Sequence, residues 1–433
     1  VQPLWQQSAV AQRAAIAELR CRVTDLAEAH LARIAEREPA LHAWVTHDPA
    51  AVRARAAALD QAADDLPLRG LPVGIKDIID TADLPTAYGS SIYAGHRPVE
   101  DAAIVARLRA AGALIMGKTV TTEFAYMHAG PTLNPWNAAH TPGGSSSGSA
   151  AGVAAGMMPL ALATQTGGST IRPAAYCGIV GFKPTYGVLP MTGIKPLAPS
   201  LDTLGLYGRS VEDVALLFDA VSGRGASAAE ARPIGALRLG LHPGPYAGRA
   251  GADAQAALDA ACTALRAAGA TVETIDLPEA LFARIGEGNN TIMAYEAARA
   301  LAHEFETDRA LLSANIVKLI GIGQAVPDAA YRDALAAGGE GRQALAEGMR
   351  GFDSLITFSA PGAAPVWAEG TGDSAFNRIW TTIGAPCITL PVGRVAATRL
   401  PLGVQLVDCV DRDAHLLQVA ARVAPVLPAF DRW

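Results

Sequence analysis

Charge is scarce in this sequence. Only 18% of the 433 residues are Asp, Glu, Lys or Arg, and 50% are hydrophobic. That balance excludes a disordered chain, which needs low hydrophobicity and high charge. A basic excess is missing too. Against 41 acidic residues stand 35 Lys and Arg, a net charge of −6, which argues against a primary nucleic-acid binder. Cysteine is rare and scattered: Cys21, Cys177, Cys262, Cys387 and Cys409 form no C-x-x-C pair. Neither a disulfide framework nor a zinc ribbon is indicated. The expectation is reduced, buried thiols in a cytoplasmic protein with no metal and no cofactor. Uninterrupted apolar runs of the ~20 residues a membrane span needs are also lacking, so no membrane partner is expected. Val1-Gln2-Pro3 opens into an Ala-rich helical stretch in place of a signal pattern.

The scarcity of charge is most extreme in one place. The 48 residues between Glu123 and Arg172 contain no Asp, Glu, Lys or Arg. The stretch is rich in Gly, Ser and Ala, and Gly143, Gly144, Gly148, Gly152, Gly156 and Pro159 break its apolar pieces. Around it, hydrophobic periodicity places amphipathic helices at 8–37, 50–63, 101–111, 252–268, 290–312, 328–350 and 411–424. Short apolar strands are expected at Leu71–Ile75, Leu114–Met116, Leu160–Ala163, Ile179–Phe182, Leu237–Leu241, Thr271–Ile275, Leu355–Phe358, Cys387–Val392 and Val404–Val407. Ser149–Gly156 reads as a helix of small residues. Alternation of this kind implies an α/β fold with helices on both faces of one large sheet. Residues 222–233 have loop composition, and the whole chain, 1–433, reads as a single domain.

Gly143-Gly144-Ser145-Ser146-Ser147-Gly148-Ser149 suits three chemistries. As a phosphate cradle it lacks the lysine that should follow Gly148. As a nucleophile elbow it would make Ser146 the nucleophile, with His303 or His415 as the distant partner, but Thr141-Pro142 before it is no strand. The third chemistry is a serine activated by lysine. A serine hydroxyl needs a base, and a lysine serves only when desolvation keeps it neutral. A segment free of carboxylates suits that requirement. Lys76, at the end of an apolar run, is the local candidate, although spacing alone does not join it to the serines. Lys118 and Lys183 are its rivals. Asp77 and Asp80 read as cap or surface residues pointing away from Lys76, His128 and His140 as ordinary loop histidines, and Cys177 as a buried thiol.

Gly74-Ile75-Lys76-Asp77, then Pro142 to Ala151 around the serines, then Thr166-Gly167-Gly168-Ser169 resemble the amidase signature family. Cys177-Gly178, Gly181-Phe182-Lys183-Pro184-Thr185, Gly117-Lys118-Thr119, Glu123-Phe124-Ala125, Gly384-Ala385-Pro386 and Pro401 to Gln405 extend the match. It is dense over about 65–210, looser over 350–425, and thin over the variable 225–350. Gln165 to Ala174 looks most like small bacterial amidases of malonamidase type. The resemblance implies a three-layer α/β/α fold around a large mixed sheet. It also implies a Ser–cis-Ser–Lys triad in which Ser169 attacks an amide carbonyl, Ser145 relays the proton after a cis Gly144–Ser145 peptide, and Lys76 is the base. Thr166, Gly167 and Gly168 would form the oxyanion hole.

Three departures stand out: Gln165 replaces an Asp common in relatives, Ser147 replaces a Gly, and Arg172 lies three rather than two residues after Ser169. Arg172 is a candidate for gripping a substrate carboxylate, its alternative being a structural contact. Gln165, Tyr126 and Met127 are further substrate-binding candidates, with Tyr88 and Trp380 as other pocket aromatics. The function implied is hydrolysis of a small-molecule amide, aryl amide or carbamate. The alternative is the catalytic A subunit of a glutamine-dependent aminoacyl-tRNA amidotransferase. A homodimer would be unsurprising.

Overall fold

The computed structural model describes residues 2–61, 66–225, 233–428 and 430. Its strands are β1 (Trp44–Thr46), β2 (Pro72–Lys76), β3 (Leu114–Thr119), β4 (Leu160–Gln165), β5 (Val180–Lys183), β6 (Thr203–Gly208), β7 (Arg238–Leu241), β8 (Thr271–Thr274), β9 (Ser354–Phe358), β10 (Cys387–Arg394) and β11 (Pro401–Val407). They form one sheet in the order β1-β3-β2-β4-β6-β5-β10-β11-β9-β7-β8. Pairing is parallel for β3-β2, β2-β4, β9-β7 and β7-β8 and antiparallel elsewhere, so the sheet is mixed. Every residue of β2, β3, β4, β5, β6 and β9 is buried. A strand can bury both rows of side chains only when both faces of its sheet are covered, which is the three-layer α/β/α arrangement.

The strands read from short apolar runs lie where the sequence put them, several of them longer than expected. β1 and β6 went unread. β1 is only three residues, and β6 (Thr-Leu-Gly-Leu-Tyr-Gly) carries two glycines that mask its apolar character. The helix expected over 8–37 is two helices, Ala9–Ala17 and Val23–Leu41. The break falls at Leu19, exposed and at φ +57°. A fresh N-terminus is held there: Asp25 Oδ2 accepts from Arg22 N at 2.8 Å, and Asp60 Oδ1 accepts from Val23 N at 2.7 Å. Asp60 is distant in sequence, so local periodicity does not reveal the break. The helix read at 290–312 begins earlier and ends sooner, as Glu279–Ala300 followed by Ala302–Thr307, and Ala314–Ala325 is an unanticipated further helix. Residues 226–232 of the expected loop, and 62–63 of the expected second helix, lie outside the described residues.

Two features of this frame set the place of the candidate site. β2 and β4 are parallel neighbours, so their carboxyl ends, Lys76 and Gln165, open on the same edge of the sheet. Ligands in open α/β sheets bind at such an edge. The helix Ser147–Ala154 then packs flat on β2, β3, β4 and β6. It does so because it carries almost no side chains: a Cβ on Gly148 would stand 2.2 Å from Ala43 O and 2.4 Å from Val120 N. Gly148→Ala is therefore expected to destabilise the fold by about 1–3 kcal/mol, as overpacking typically does. Lowered thermal and urea midpoints would register it; unchanged midpoints would contradict so close an approach.

Candidate active site

Lys76, the last residue of β2, is fully buried. Its Nζ lies 2.7 Å from Ser145 Oγ and 2.7 Å from Thr164 Oγ1. Burial drives its pKa well below the usual lysine value, and the charge of Asp202 pulls it part of the way back. Ser145 follows a cis Gly144–Ser145 peptide. The turn before it requires Gly143, whose φ is +81° and whose missing side chain leaves room for Pro173 Cα at 3.0 Å. Ser169 lies beyond β4, just before the short helix Ile171–Cys177. Ser145, Ser169, Thr166, Gly167 and Gly168 all line one cavity of about 1150 Å³. Ser145 and Ser169 face it without a hydrogen bond between their hydroxyls.

The turn carrying Thr166, Gly167 and Gly168 is braced from several sides. Thr381 Oγ1 donates to Gly167 O at 2.8 Å, and Asn289 Nδ2 donates to Thr166 O at 3.2 Å. Thr166 Oγ1 donates to Asp202 Oδ1 at 2.6 Å. Among the described residues, no hydrogen bond takes up the backbone N–H groups of Gly167 and Gly168. An arrangement of this kind can present fixed donors to an anion developing in the cavity.

The other hydroxyls of the serine run face away from the cavity. Ser146 Oγ donates to Thr164 O at 3.2 Å, and Ser147 Oγ donates to Val120 O at 3.3 Å. The elbow chemistry thus loses its nucleophile. Its proposed partners are elsewhere: His415 Nδ1 pairs with Asp408 Oδ2 at 2.6 Å, and neither His303 nor His415 lines the cavity. The rival lysines are also engaged. Lys183 Nζ donates to Pro184 O, and Lys118 Nζ donates to Ile79 O at 2.7 Å and lies 3.2 Å from Asp77 Oδ1. Asp77 is therefore not a surface or cap residue. It is fully buried, its carboxyl raised by burial and drawn down by Lys118, and its side chain is turned away from Lys76. Cys177 is buried and its thiol is pushed far up by desolvation, as an inert core thiol should be.

Among the substrate-binding candidates, Tyr126 and Met127 line the cavity, Met127 with an exposed side chain at its mouth. His128 also lines it. Gln165 does not. It is fully buried, its Oε1 accepting from Thr170 N and Ile171 N and its Nε2 donating to Thr381 Oγ1. Its amide ties the turn after β4 together, a task a carboxylate could share only in its acceptor half. Tyr88 and Trp380 are likewise off the cavity: Tyr88 donates to Asp80 at 2.7 Å, and Trp380 packs edge-on against Phe282 and His242. Arg172 does face the cavity, but its Nη2 donates to Gly144 O at 2.6 Å and to Thr371 Oγ1 at 3.3 Å. The guanidinium thus holds the carbonyl of the cis peptide that introduces Ser145.

The amidase family model matches residues 25–417. The chain belongs to the amidase signature family. It is accordingly an enzyme acting on amide C–N bonds. The A subunit of the glutamyl-tRNA(Gln) amidotransferase of Symbiobacterium thermophilum is 36% identical to it, over 92% of each chain. A chain of an inhibitor-bound complex linked to the evolutionary origins of an s-triazine catabolic enzyme superposes with a TM-score of 0.88 at 29% identity, covering 96% of this chain and 98% of that one. A 6-aminohexanoate cyclic dimer hydrolase superposes at 0.85 with 28% identity, covering 99% and 98%. The malonamidase-type likeness read from Gln165 to Ala174 gains no support from these relatives.

Sequence reasoning missed Thr164, Asp202, Asn289 and Thr381. Asp202 had a signal, being the first carboxylate in the sequence after Glu123. Asn289 and Thr381 had none, since they lie in the thinly and loosely matched segments and reach the turn only through packing. One expectation changes with Arg172. Arg172→Met should lower kcat for neutral and acid-bearing amides alike, since losing a charged hydrogen bond to the Ser145 turn costs about 1.5–3 kcal/mol. A rise in KM confined to acid-bearing amides would instead reinstate the carboxylate grip.

Proposed function

We propose that this enzyme cleaves amides through an acyl-Ser169 intermediate, with Lys76 as general base and Ser145 as proton relay. The observation that carries the proposal is the 2.7 Å contact between Lys76 Nζ and the Oγ of Ser145, which lines the same cavity as Ser169. Ser169 Oγ would attack the carbonyl carbon while its proton passes to Ser145 Oγ. The Ser145 proton would pass to Lys76 Nζ, which burial keeps ready to accept it. The negative charge on the carbonyl oxygen would meet the N–H groups of Thr166, Gly167 and Gly168. Collapse of the tetrahedral species breaks the C–N bond, and the proton returns through Ser145 to the departing nitrogen. Water, or another nucleophile, then releases the acyl group with the same base.

Because Lys76 must be neutral to act, kcat/KM should rise with pH along an acidic limb set by its lowered pKa and level off above it. Lys76→Ala and Ser169→Ala should each lose about three orders of magnitude or more in turnover of any substrate amide. Near-normal turnover in either variant would defeat the mechanism. Activity that depended on His415 would point to the elbow chemistry instead.

For the substrate, the amidotransferase reading, with glutamine as the amide donor, has the broader support: a relative at 36% identity over 92% of each chain. This reverses the order expected from the sequence, where a net charge of −6 weighed against a tRNA partner. Net charge bears on direct contact between this chain and a nucleic acid, and says little about a chain that meets protein partners. A free-standing small-molecule amidase is the second reading. It is favoured by a cavity of about 1150 Å³, above the usual range of small-ligand pockets and far more than glutamine fills, and by the hydrolase superposition. Ammonia release by the purified chain separates them. The amidotransferase reading expects slow glutamine turnover that rises at least about tenfold when partner subunits, ATP and charged tRNA are supplied. Rapid hydrolysis of an aliphatic or aryl amide by the chain alone would reverse the order.

A further inference from the structure

The carboxylate-free stretch that should shelter a neutral lysine does not stay carboxylate-free in the fold. Asp202 immediately precedes β6, whose first residue, Thr203, pairs with Gln165 at the end of β4. Asp202 is 7% exposed, and both its oxygens are engaged as acceptors. Oδ1 accepts from Thr166 Oγ1 at 2.6 Å, and Oδ2 accepts from Leu197 N at 2.9 Å and Ala198 N at 3.0 Å. Thr166 and Leu197 both line the cavity. Two residues before Thr166, Thr164 Oγ1 accepts from Lys76 Nζ. A single buried carboxyl therefore joins the wall of the cavity to the proposed oxyanion turn, beside the strand end that holds the lysine.

We propose that Asp202 is a positioning residue for the same reaction: its carboxylate fixes Thr166 and the Leu197–Ala198 wall, and its charge stabilises the ammonium that Lys76 becomes when it accepts the proton. The inference rests on Lys76 being the base. The proton stays on Lys76, and above about pH 6 Asp202 is ionised, all three of its contacts being made as an acceptor. The logic matches that of the buried aspartate in a serine–histidine–aspartate triad, which orients its base and stabilises the base's cation without taking the proton. Burial raises the Asp202 carboxyl to about 6, against the pull of its three donors. The groups facing it are Glu296 from the helix Glu279–Ala300, whose charge raises it further, Tyr186, and Lys76 from β2. Glu296 is itself bound by Ser200 N and Tyr331 Oη.

The test uses the full chain and follows kcat, KM and the pH profile of kcat/KM by ammonia release. Asp202→Asn removes the charge and keeps an acceptor for Thr166. Without that charge the Lys76 cation is less stable, so the acidic limb should move to lower pH by about one unit, the size of a nearby opposite charge's effect. kcat should fall about tenfold or more, with KM within about twofold. Thr166→Val removes the hydroxyl that Asp202 holds but leaves the charge, so kcat should fall with the limb unmoved. A limb that stays at its wild-type pH in Asp202→Asn overturns the charge role, whatever the loss in rate. So does a limb that moves as far in Thr166→Val. Should Asp202→Asn not fold, Thr166→Val still decides the positioning role, which wild-type kcat would overturn. An absent acidic limb in the wild-type enzyme would instead defeat Lys76 as base, a separate failure.

Discussion

A lysine ammonium hydrogen-bonded to a serine can serve as a base only if it gives up its proton near neutral pH, and the proposed mechanism depends on that condition. In the proposed mechanism Lys76 is that base, and desolvation pushes its pKa down in the direction the condition requires. The residue ends a strand buried on both faces, its Nζ touches two hydroxyls, and the loss of water weakens its ordinary preference for the charged form. The fold around it keeps that place buried. A helix of Ser, Gly and Ala is pressed onto the sheet closely enough that Gly148 has no room for a methyl group. The apolar strands β3 and β4 flank β2, the strand of Lys76, on either side.

Desolvation alone would make Lys76 a poor acceptor of a proton, because the cation formed would be as costly as the one removed. A buried carboxylate nearby offsets part of that cost. The opposed influences on Lys76, burial lowering and Asp202 raising, suit the general-base role proposed for it. The competing pair shows the same physics put to a different use. Lys118 and Asp77 are buried together, each shifted by burial and each drawn back by the other. Without a cavity beside them they hold strand and loop in place. Two lysines in neighbouring strands thus differ in what surrounds their tips: hydroxyls at Lys76, a carboxylate and a carbonyl at Lys118.

The proposed oxyanion turn draws on the whole chain. Gln165 and Asp202 brace it from the densely matched part of the sequence, Asn289 from the variable segment, and Thr381 from the C-terminal part. The variable segment therefore does more than shape the cavity. Its long helix touches the turn directly through Asn289 while lining the cavity with Asn290 and Met293. Substitutions there can alter both the choice of substrate and the set of the donors.

The class of fold, most of the strands, and the motifs of Lys76, Ser145 and Ser169 are legible in the amino-acid sequence. These are written locally: apolar runs of strand length, glycines where side chains cannot fit, and serines and lysine in a spaced pattern. It also carried the absence of carboxylates between Glu123 and Arg172, whose meaning was only half legible. Tertiary structure decided which charges meet. It paired Asp77 with Lys118, turned Arg172 onto the Gly144 carbonyl, withdrew Gln165 from the cavity, and tied Asp202 to Thr166. The reason is that side-chain polar contacts bridge strands and turns far apart in the chain, and burial, which sets the strength of each charge, belongs to the packed molecule and not to any segment of it.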